Sequence, residues 1–111
     1  MIKNIFYGFM RAHILYHAIK QQICGIEIIE ELSRHGYNVS PGTLYPLLHQ
    51  MEKDGLLVSK EDVTSGRKKI YYKATKKGNI EFEEIKMKIF ELYKEIVEEI
   101  LWTIKKKISG N

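Results

Sequence analysis

The sequence predicts a mainly helical fold that contains one small β-hairpin and ends in a long helix. Apolar residues recur at helical spacing in four segments, which predicts four helices. Between the third and the fourth segment the apolar period changes to two, which predicts two short strands. The last helical segment runs from residue 76 to about residue 108 without a turn signal. We therefore expect a folded domain over residues 1–75 and a single helix over residues 76–111.

The first two predicted helices are amphipathic. The first covers about residues 4–19, and its apolar positions are Phe6, Phe9, Met10, Ile14, Leu15, Ala18 and Ile19. Residues 21–25 interrupt the pattern, and the second helix covers residues 26–34 with Ile28, Ile29 and Leu32 inward. We expect it to stop at Gly36, because glycine adopts the left-handed conformation of a helix C-terminus without strain.

The third predicted helix has clear signals at both ends. Ser40 suits the N-cap and Pro41 suits the first helical position, where a missing N–H is harmless. One buried stripe is formed by Leu44, Leu47, Leu48 and Met51, and Gly55 follows the helix end. A proline inside a helix removes a backbone hydrogen bond and costs about 3 kcal/mol. Pro46 therefore predicts a kinked first turn or an irregular start.

A hairpin is predicted over the segment with the period of two. In its first strand, Leu56 and Val58 alternate with Leu57 and Ser59. In its second strand, Ile70, Tyr72 and Ala74 alternate with Lys69, Tyr71 and Lys73. Residues 62–66 between the strands are rich in turn formers. We expect one apolar face on the core, with Tyr72 inward, and an outer face that carries Lys69, Tyr71 and Lys73.

The long last helix, which Thr75 can cap, is too long for so small a domain to cover. At 1.5 Å per residue it spans about 45 Å or more. Its apolar positions form two stripes, one of Phe82, Ile85, Ile89, Leu92 and Ile96, the other of Phe90, Tyr93, Val97, Ile100 and Ile104. One stripe can cover the domain or the first helix, and the second needs another chain. This geometry predicts a dimer.

Composition excludes several classes of protein. The 111 residues are 44% hydrophobic and 29% charged, which indicates one globular domain with an attached element. A single cysteine, Cys24, excludes an intrachain disulfide framework and suits a reducing compartment. We see neither a signal-peptide pattern nor an apolar run that could span a bilayer, so we expect a cytoplasmic protein without membrane contact. No catalytic constellation or phosphate-binding glycine loop is present, so we expect neither an enzyme nor a cofactor.

The net charge of +4 is small, but its distribution is uneven. Residues 64–79 contain six basic residues and no acid, whereas residues 80–99 contain seven acids and three lysines. A concentrated basic stretch is what neutralisation of DNA phosphates requires. The alternative interpretation is a solvated charged loop.

Three short helices, a hairpin with a basic tip and a long helix follow one another in the order of a winged helix-turn-helix. Residues 36–39 are short enough for the corner between the second and third helices. In that fold the third helix enters the major groove of DNA, and the hairpin, called the wing, lies along the flanking backbone or minor groove.

Four stretches carry a more specific signal. Residues 40–48 (SPGTLYPLL) and 51–57 (MEKDGLL) resemble the signature of the PadR family of bacterial transcriptional regulators. Residues 66–78 (GRKKIYYKATKKG) resemble its wing and the start of its last helix, and residues 25–32 (GIEIIEEL) resemble its second helix. The similarity covers roughly residues 14–78. Cys24, Ile26 and Ile70 depart from the family's common residues.

The resemblance implies a cytoplasmic homodimer that represses transcription by binding a double-stranded, often near-palindromic operator. It also implies an effector that binds at or near the dimer interface and relieves repression. Pro46 becomes an expected feature of the family. The short C-terminal part resembles members in which one helix serves the dimer.

The candidate DNA-contacting residues lie at the start and on the exposed face of the third helix and in the wing. They are Ser40, Gly42, Thr43, Tyr45, His49, Lys53, Arg67, Lys68, Lys69 and Lys73. Thr43 and Tyr45 match positions that meet DNA in the family. We expect Arg67 to reach the minor groove or flanking phosphates, and Lys68, Lys69 and Lys73 to make nonspecific phosphate contacts. His49 and Lys53 are equally well explained as solvated.

The candidate effector-binding residues are Phe9, Tyr93 and Trp102. Some multidrug-sensing relatives stack flat aromatic ligands between tryptophans of the two subunits. Trp102 lies nearer the chain end than that role requires, so a dimer-interface aromatic is the simpler interpretation. We predict a small aromatic effector.

Two alternative functions remain at this point. His13 and His17 are four residues apart, a spacing that lets two imidazoles reach one metal ion, with Cys24 or His35 as a further ligand in a metal-responsive regulator. No third ligand is fixed by the pattern, so we predict no metal site. The second alternative is a winged-helix module that docks another protein. The basic, acid-free wing favours DNA over that alternative.

Overall fold

The computed structural model describes residues 2–64 and 66–110. The elements in chain order are α1 (Ile2–Lys20), β1 (Ile23–Cys24), α2 (Gly25–Arg34), α3 (Pro41–Lys53), β2 (Leu57–Asp62), β3 (Lys69–Ala74) and α4 (Lys76–Ile108). The four predicted helices are confirmed, with ends within two residues of the expected positions. None of the described helices is long and apolar enough to cross a membrane.

The sheet has three strands where the sequence predicts two. Its order is β1-β3-β2 and both pairings are antiparallel, with Ile23 opposite Tyr72 and Cys24 opposite Tyr71. The sequence pattern over residues 21–25 predicts only a helix break. That prediction is incomplete because a two-residue strand shows no alternation, and its partner strand lies far along the chain.

The hairpin places one apolar face on the core, but in β2 the buried face is not the one that carries Val58. Leu57 is buried opposite Ala74, while Val58 is 55% exposed opposite Lys73. Leu56 precedes the strand and is buried as well. Both leucines reach the core because the chain turns between the end of α3 and β2.

A single hydrophobic core joins α1, α2, α3 and the sheet. Its buried members are Met10, Ile14, Leu15, Ala18, Ile23, Ile28, Leu32, Leu44, Leu48, Met51, Leu56, Leu57, Tyr72 and Ala74. The predicted stripe of the first helix is buried from Met10 to Ala18, and its last member Ile19 is half-buried. Its earlier members Phe6 and Phe9 remain about half exposed, as do their neighbours Ile5 and Tyr7.

The last helix is anchored only at its base. Gly78 is buried, and a Cβ atom there would lie 2.3 Å from the carbonyl oxygen of Leu56. Phe82 and Ile85 are half-buried against the core, but Ile89, Leu92 and Ile96 of the same predicted stripe are exposed. The domain therefore covers only the beginning of that stripe, and the molecule measures 66 × 28 × 27 Å.

Candidate nucleic-acid interface

The start of α3 is set by Ser40 and Pro41. Ser40 lies at the N-cap with extended backbone angles, and Pro41 occupies the first helical turn. The carbonyl oxygen of Ser40 accepts hydrogen bonds from the backbone N–H groups of Thr43 at 3.0 Å and Leu44 at 2.9 Å. The Ser40 hydroxyl does not cap the backbone and lies 3.4 Å from the Thr43 hydroxyl. The two hydroxyls therefore form an adjacent pair of polar groups at this helix end.

Pro46 does not interrupt α3, which is continuous from Pro41 to Lys53. Of the two alternatives that Pro46 predicts, the irregular start is therefore not observed. The N–H that Pro46 lacks would have bonded to the carbonyl of Gly42, four residues earlier. Gly42 is exposed at the helix start, so water can satisfy its carbonyl group.

The two faces of α3 differ largely as the sequence predicts, except that Leu47 of the predicted buried stripe and Thr43 of the predicted exposed face are both half-buried. Leu44, Leu48 and Met51 are fully buried. On the opposite side Gly42, His49 and Lys53 are exposed. This face carries a glycine that lets another molecule approach the backbone and two side chains that can donate hydrogen bonds.

Tyr45 is only half-buried, and its ring packs on the beginning of α2. A Cβ atom on Gly25 would lie 2.4 Å from the Tyr45 hydroxyl oxygen. Glycine is therefore required at position 25 for this packing. The Tyr72 hydroxyl lies in the same region: burial raises its pKa, and the nearby Glu52 and Tyr45 raise it further. This contact could not be found from the sequence pattern, which marks Tyr45 simply as lying off the apolar stripe.

The hairpin lies beside α3, because the Ser59 hydroxyl of β2 donates to a Glu52 carboxylate oxygen of α3 at 2.8 Å. Near its tip Gly66 has a φ of +78°, which permits the tight turn. Arg67 follows this glycine and is exposed. Lys73 is exposed too and faces Val58 across the sheet.

The prediction that the wing is free of acids is wrong, because the pairing of the two strands brings Glu61 and Asp62 of β2 next to the basic residues of β3. The Nζ atom of Lys68 lies 3.0 Å from a Glu61 carboxylate oxygen, and Lys69 is opposite Asp62 in the register. Hydrogen bonds from the hydroxyl and the backbone N–H of Thr64 lower the pKa of Asp62. The basic run belongs to one strand, and the acids come from its neighbour, so a count along the chain misses them.

Lys69 has a second acidic neighbour at the start of α2. Glu27 accepts a hydrogen bond from the Cys24 backbone N–H at 3.0 Å, and this bond is the main cause of its lowered pKa. The positive charge of Lys69 lowers that pKa slightly further. Lys68 and Lys69 are thus partly compensated by acids of the protein itself, in contrast to Arg67 at the tip.

A polar junction connects the end of α3 to the start of α4. The Thr75 hydroxyl donates to the Gly55 carbonyl at 2.5 Å and accepts from the Gly78 backbone N–H at 3.0 Å. Lys77 donates to the Asp54 carbonyl at 2.7 Å. Arg11 of α1 lies 3.4 Å from the Asp54 carboxylate. Hydrogen bonds therefore connect the C-terminal end of α3 to the N-terminal end of α4.

One of the three candidate effector residues lines a cavity. This cavity of about 290 Å³ lies between α1 and α4, and its lining includes Phe9, Tyr16, Phe82 and Ile89. Within the described part of the chain, Tyr93 and Trp102 lie outside this lining, further along α4, and each is 62% exposed. The Nζ atom of Lys106 lies 4.9 Å from the centre of the Trp102 ring.

The histidines of α1 are committed to protein contacts. His13 stacks on His35 with ring centres 4.4 Å apart, and Nε2 of His17 lies 3.4 Å from a Glu31 carboxylate oxygen. Cys24 is buried next to β3. Over residues 2–64 and 66–110 no three such side chains converge in a group that could hold a metal ion. The metal-responsive alternative therefore has no support in this geometry.

Three helices, a short strand before α2 and a hairpin beside α3 define a winged helix-turn-helix, a DNA-binding fold. Residues 14–84 match the profile of the Transcriptional regulator PadR-like family. The chain belongs to this family of transcriptional regulators, as the motifs of residues 25–78 predict.

Relatives and solved structures agree with that assignment. The chain is 48% identical over 88 residues to the Transcriptional regulator Rv3488 of Mycobacterium tuberculosis, with 79% of this chain and 82% of the relative covered. It is similar to a PadR-like transcriptional regulator from Bacillus cereus, with 31% identity, a TM-score of 0.74 and coverage of 88% and 96%. A PadR family regulator from Clostridium difficile matches at 26% identity and a TM-score of 0.68, with coverage of 84% and 98%.

Proposed function

We propose that this chain is a homodimeric repressor that binds a near-palindromic DNA operator. The observation that carries the proposal is the exposed polar face of α3 next to a hairpin whose exposed tip presents Arg67. In this arrangement α3 enters the major groove and the hairpin follows the flanking backbone or minor groove. A dimer would present two such units to two half-sites.

The proposed contacts follow from exposure and charge. Ser40 and Thr43 donate from their hydroxyls to phosphates at the start of α3, where Gly42 allows a close approach. His49 and Lys53 face the groove from the exposed side of the helix. Tyr45 has a smaller role at the DNA than the sequence suggests, because its hydroxyl is directed at Gly25.

Within the wing, the proposed contacts are unequal. Arg67 and Lys73 contribute most to binding, because both are exposed and the acids of β2 pair with other residues. Lys68 must first give up its contact with Glu61, and Lys69 lies near Asp62 and Glu27. A surface ion pair contributes little to the stability of the fold, but the paired acid reduces the attraction between the lysine and the DNA phosphates.

The test is binding of the purified protein to DNA from upstream of its own gene and to a scrambled duplex, at several salt concentrations. A sequence-reading dimer should prefer its own DNA and show a steep salt dependence. Arg67→Ala and Lys73→Ala should each lower the salt slope by about one, and Lys68→Ala should lower it by less. Lys94→Ala, an exposed lysine on α4, is the matched control and should change nothing.

Two outcomes would contradict the proposal. Equal and weak binding to both duplexes would remove the role as a regulator of its own gene. If affinity and salt slope were unchanged in Arg67→Ala and Lys73→Ala, the wing would not contact DNA, and docking of a protein partner would become the better explanation.

The dimer contact that we propose is the exposed apolar side of α4. Ile96, Ile100 and Ile104 lie on one side of this helix and each is about half exposed. We expect Ile100→Glu to raise the dissociation constant of the dimer at least about 30-fold, because a charge would have to be buried at the contact. Sedimentation at several protein concentrations measures this, with Glu98→Gln as the control. Equal dissociation constants for both variants would place the dimer contact elsewhere.

For the effector we propose a small aromatic molecule that releases the DNA. Phe9, Tyr16 and Phe82 supply aromatic surface to the cavity between α1 and α4. A planar dye such as anilinonaphthalene sulfonate serves as a probe, titrated against wild type, Phe9→Ala and Trp102→Ala. Loss of dye binding only in Phe9→Ala assigns the cavity, and loss only in Trp102→Ala assigns the far part of α4. Unchanged binding in both variants contradicts the assignment of all these residues.

A further inference from the structure

Two stacked histidines, His13 and His35, join α1 to the corner between α2 and α3. The rings of His13 and His35 are stacked, with centres 4.4 Å apart and planes inclined by 27°. Tyr37 packs edge-on against His13 at 5.7 Å, and Phe6 packs edge-on against Tyr37 at 6.1 Å. A chain of four rings therefore connects α1 to the segment that leads into α3.

The position of His35 makes this stack relevant to α3. His35 forms the C-cap of α2, and its backbone N–H donates to the Leu32 carbonyl at 3.1 Å, while the backbone N–H of Gly36 donates to the Ser33 carbonyl at 3.0 Å. Gly36 follows with a φ of +82°, and the chain then leads over residues 37–40 to α3. The ring of His35 thus fixes the first residue of the corner to α1.

We propose that the stacked imidazoles of His13 and His35 form a pH-sensitive latch. When both rings are neutral, the latch holds the helix-turn-helix corner against α1. When both rings are protonated, two positive charges face each other at the stacking distance, and the corner is released from α1. The latch concerns the packing of the domain, so its first test needs no DNA.

The groups around His13 determine the direction of the response. Burial lowers the pKa of His13, positive charge on His35 and then on His17 lowers it further, and Glu31 opposes them. Glu31 supports His13 weakly, because it already contacts His17 at 3.4 Å and Arg34 at 2.7 Å.

Glu31 is the one acid among the described residues that acts on the charge of His13, and the remaining neighbours are aromatic or apolar. From the loop after α2 comes Tyr37, and from α1 comes Tyr16, whose hydroxyl accepts a hydrogen bond from Lys20. The part of α4 that lines the same cavity as His13 contributes Phe82 and Ile89. A proton on His13 is therefore opposed by its surroundings in the folded chain.

The sign of the pH dependence follows from these neighbours. The unfolded chain binds a proton at His13 as the pH falls below about 6.5, whereas the folded chain resists it. The contribution of His13 to stability is therefore complete above that pH and is lost as the pH falls through the lowered value. Among common side chains only histidine changes its charge in this range without a perturbing environment.

The first experiment compares melting temperatures at about pH 7.5 and about pH 5.5, at a fixed protein concentration. His13→Phe keeps an aromatic ring on His35 and Tyr37 but cannot take up a proton. The loss of melting temperature on acidification should be roughly 4–8 °C larger in the wild type than in His13→Phe. His49→Gln removes an exposed histidine of α3 and should behave like the wild type. Equal losses in wild type and His13→Phe would overturn the latch.

A second measurement decides the matter even if His13→Phe does not fold. Nuclear magnetic resonance of the imidazole protons follows each histidine of the wild type against pH. The His13 signal should titrate below its ordinary range, and His35→Gln should raise the pKa of His13 by removing a neighbouring charge. Titration of His13 at its ordinary pKa, unchanged by His35→Gln, would show that the two rings are independent and would overturn the proposal.

A third measurement connects the latch to DNA and rests on the proposed function. Release of the corner should lower operator affinity about tenfold in the wild type between the same two pH values, and less in His13→Phe. Both proteins in this comparison keep His49, so any contribution of His49 is common to them and cancels in the difference. Equal losses with and without His13→Phe contradict the latch, whereas no operator binding at either pH contradicts the proposed function and leaves the melting test to decide the latch.

Discussion

The winged domain and the long helix treat similar apolar residues in opposite ways. In the domain, Leu44, Leu48 and Met51 are completely enclosed by other side chains of the same chain. In α4, Leu92, Leu101 and Trp102 are each about 60% exposed. The domain is therefore stabilised by apolar side chains that it buries itself, whereas most of α4 has apolar side chains that the same chain does not cover.

The largest effect is expected from emptying the core. Leu48→Ala removes a side chain with no exposed surface and should lower the free energy of unfolding by about 2–5 kcal/mol. Leu101→Ala, on a helix position that is 60% exposed, should leave the folding of the domain almost unchanged. Urea denaturation at low protein concentration measures both. Similar losses for the two variants would show that α4 is covered within a single chain.

An intermediate effect is expected at the boundary between the two regions. Gly78→Ala should destabilise the protein by roughly 1–3 kcal/mol, because the new methyl group meets the Leu56 carbonyl. Gly8→Ala in α1 is the control, since a Cβ atom there has nothing within 4 Å. It should stabilise by about 0.5–1 kcal/mol through helix propensity. Thermal melting ranks the two variants, and a Gly78→Ala protein as stable as the wild type would mean that the base of α4 can move away from the core.

The smallest effect concerns the cap of α4. Thr75→Ala removes the hydrogen bonds to Gly55 and Gly78 and should cost about 1 kcal/mol. Thr103→Ala removes a bond from an exposed hydroxyl to the Glu99 carbonyl further along the same helix. That change should be neutral or slightly stabilising, because alanine favours the helix more than threonine does. Denaturation midpoints compare them, and a larger loss in Thr103→Ala would contradict the view that α4 is anchored at its base alone.

Local signals in the sequence predicted the local structure well. Ser40, Pro41 and Gly55 mark both ends of α3, and the stripe of Leu44, Leu48 and Met51 faces the core as expected. These features depend on residues within a few positions of one another. A helix period and its flanking turn residues are therefore sufficient to find them.

Contacts between distant residues could not be predicted in the same way. The pairing of Ile23 with Tyr72, the packing of Tyr45 on Gly25 and the stack of His13 on His35 each join separate elements. The ion pair of Lys68 with Glu61 depends on the register of the hairpin. A single sequence shows which residues are apolar or charged, but these neighbours are fixed only when the elements pack together.

The buried base of α4 gives the long helix the mechanics of a lever. Its 33 residues extend about 50 Å from the junction beneath Leu56. A tilt of about 5° at that junction would move the far end by about 4 Å, roughly the width of one side chain. Conversely, a partner that grips the far end to within an ångström would fix the angle of the attached domain to about one degree. In a dimer held together by the far ends of two such helices, the angle of each attached domain would therefore be closely fixed, and so would the distance between the two α3 helices.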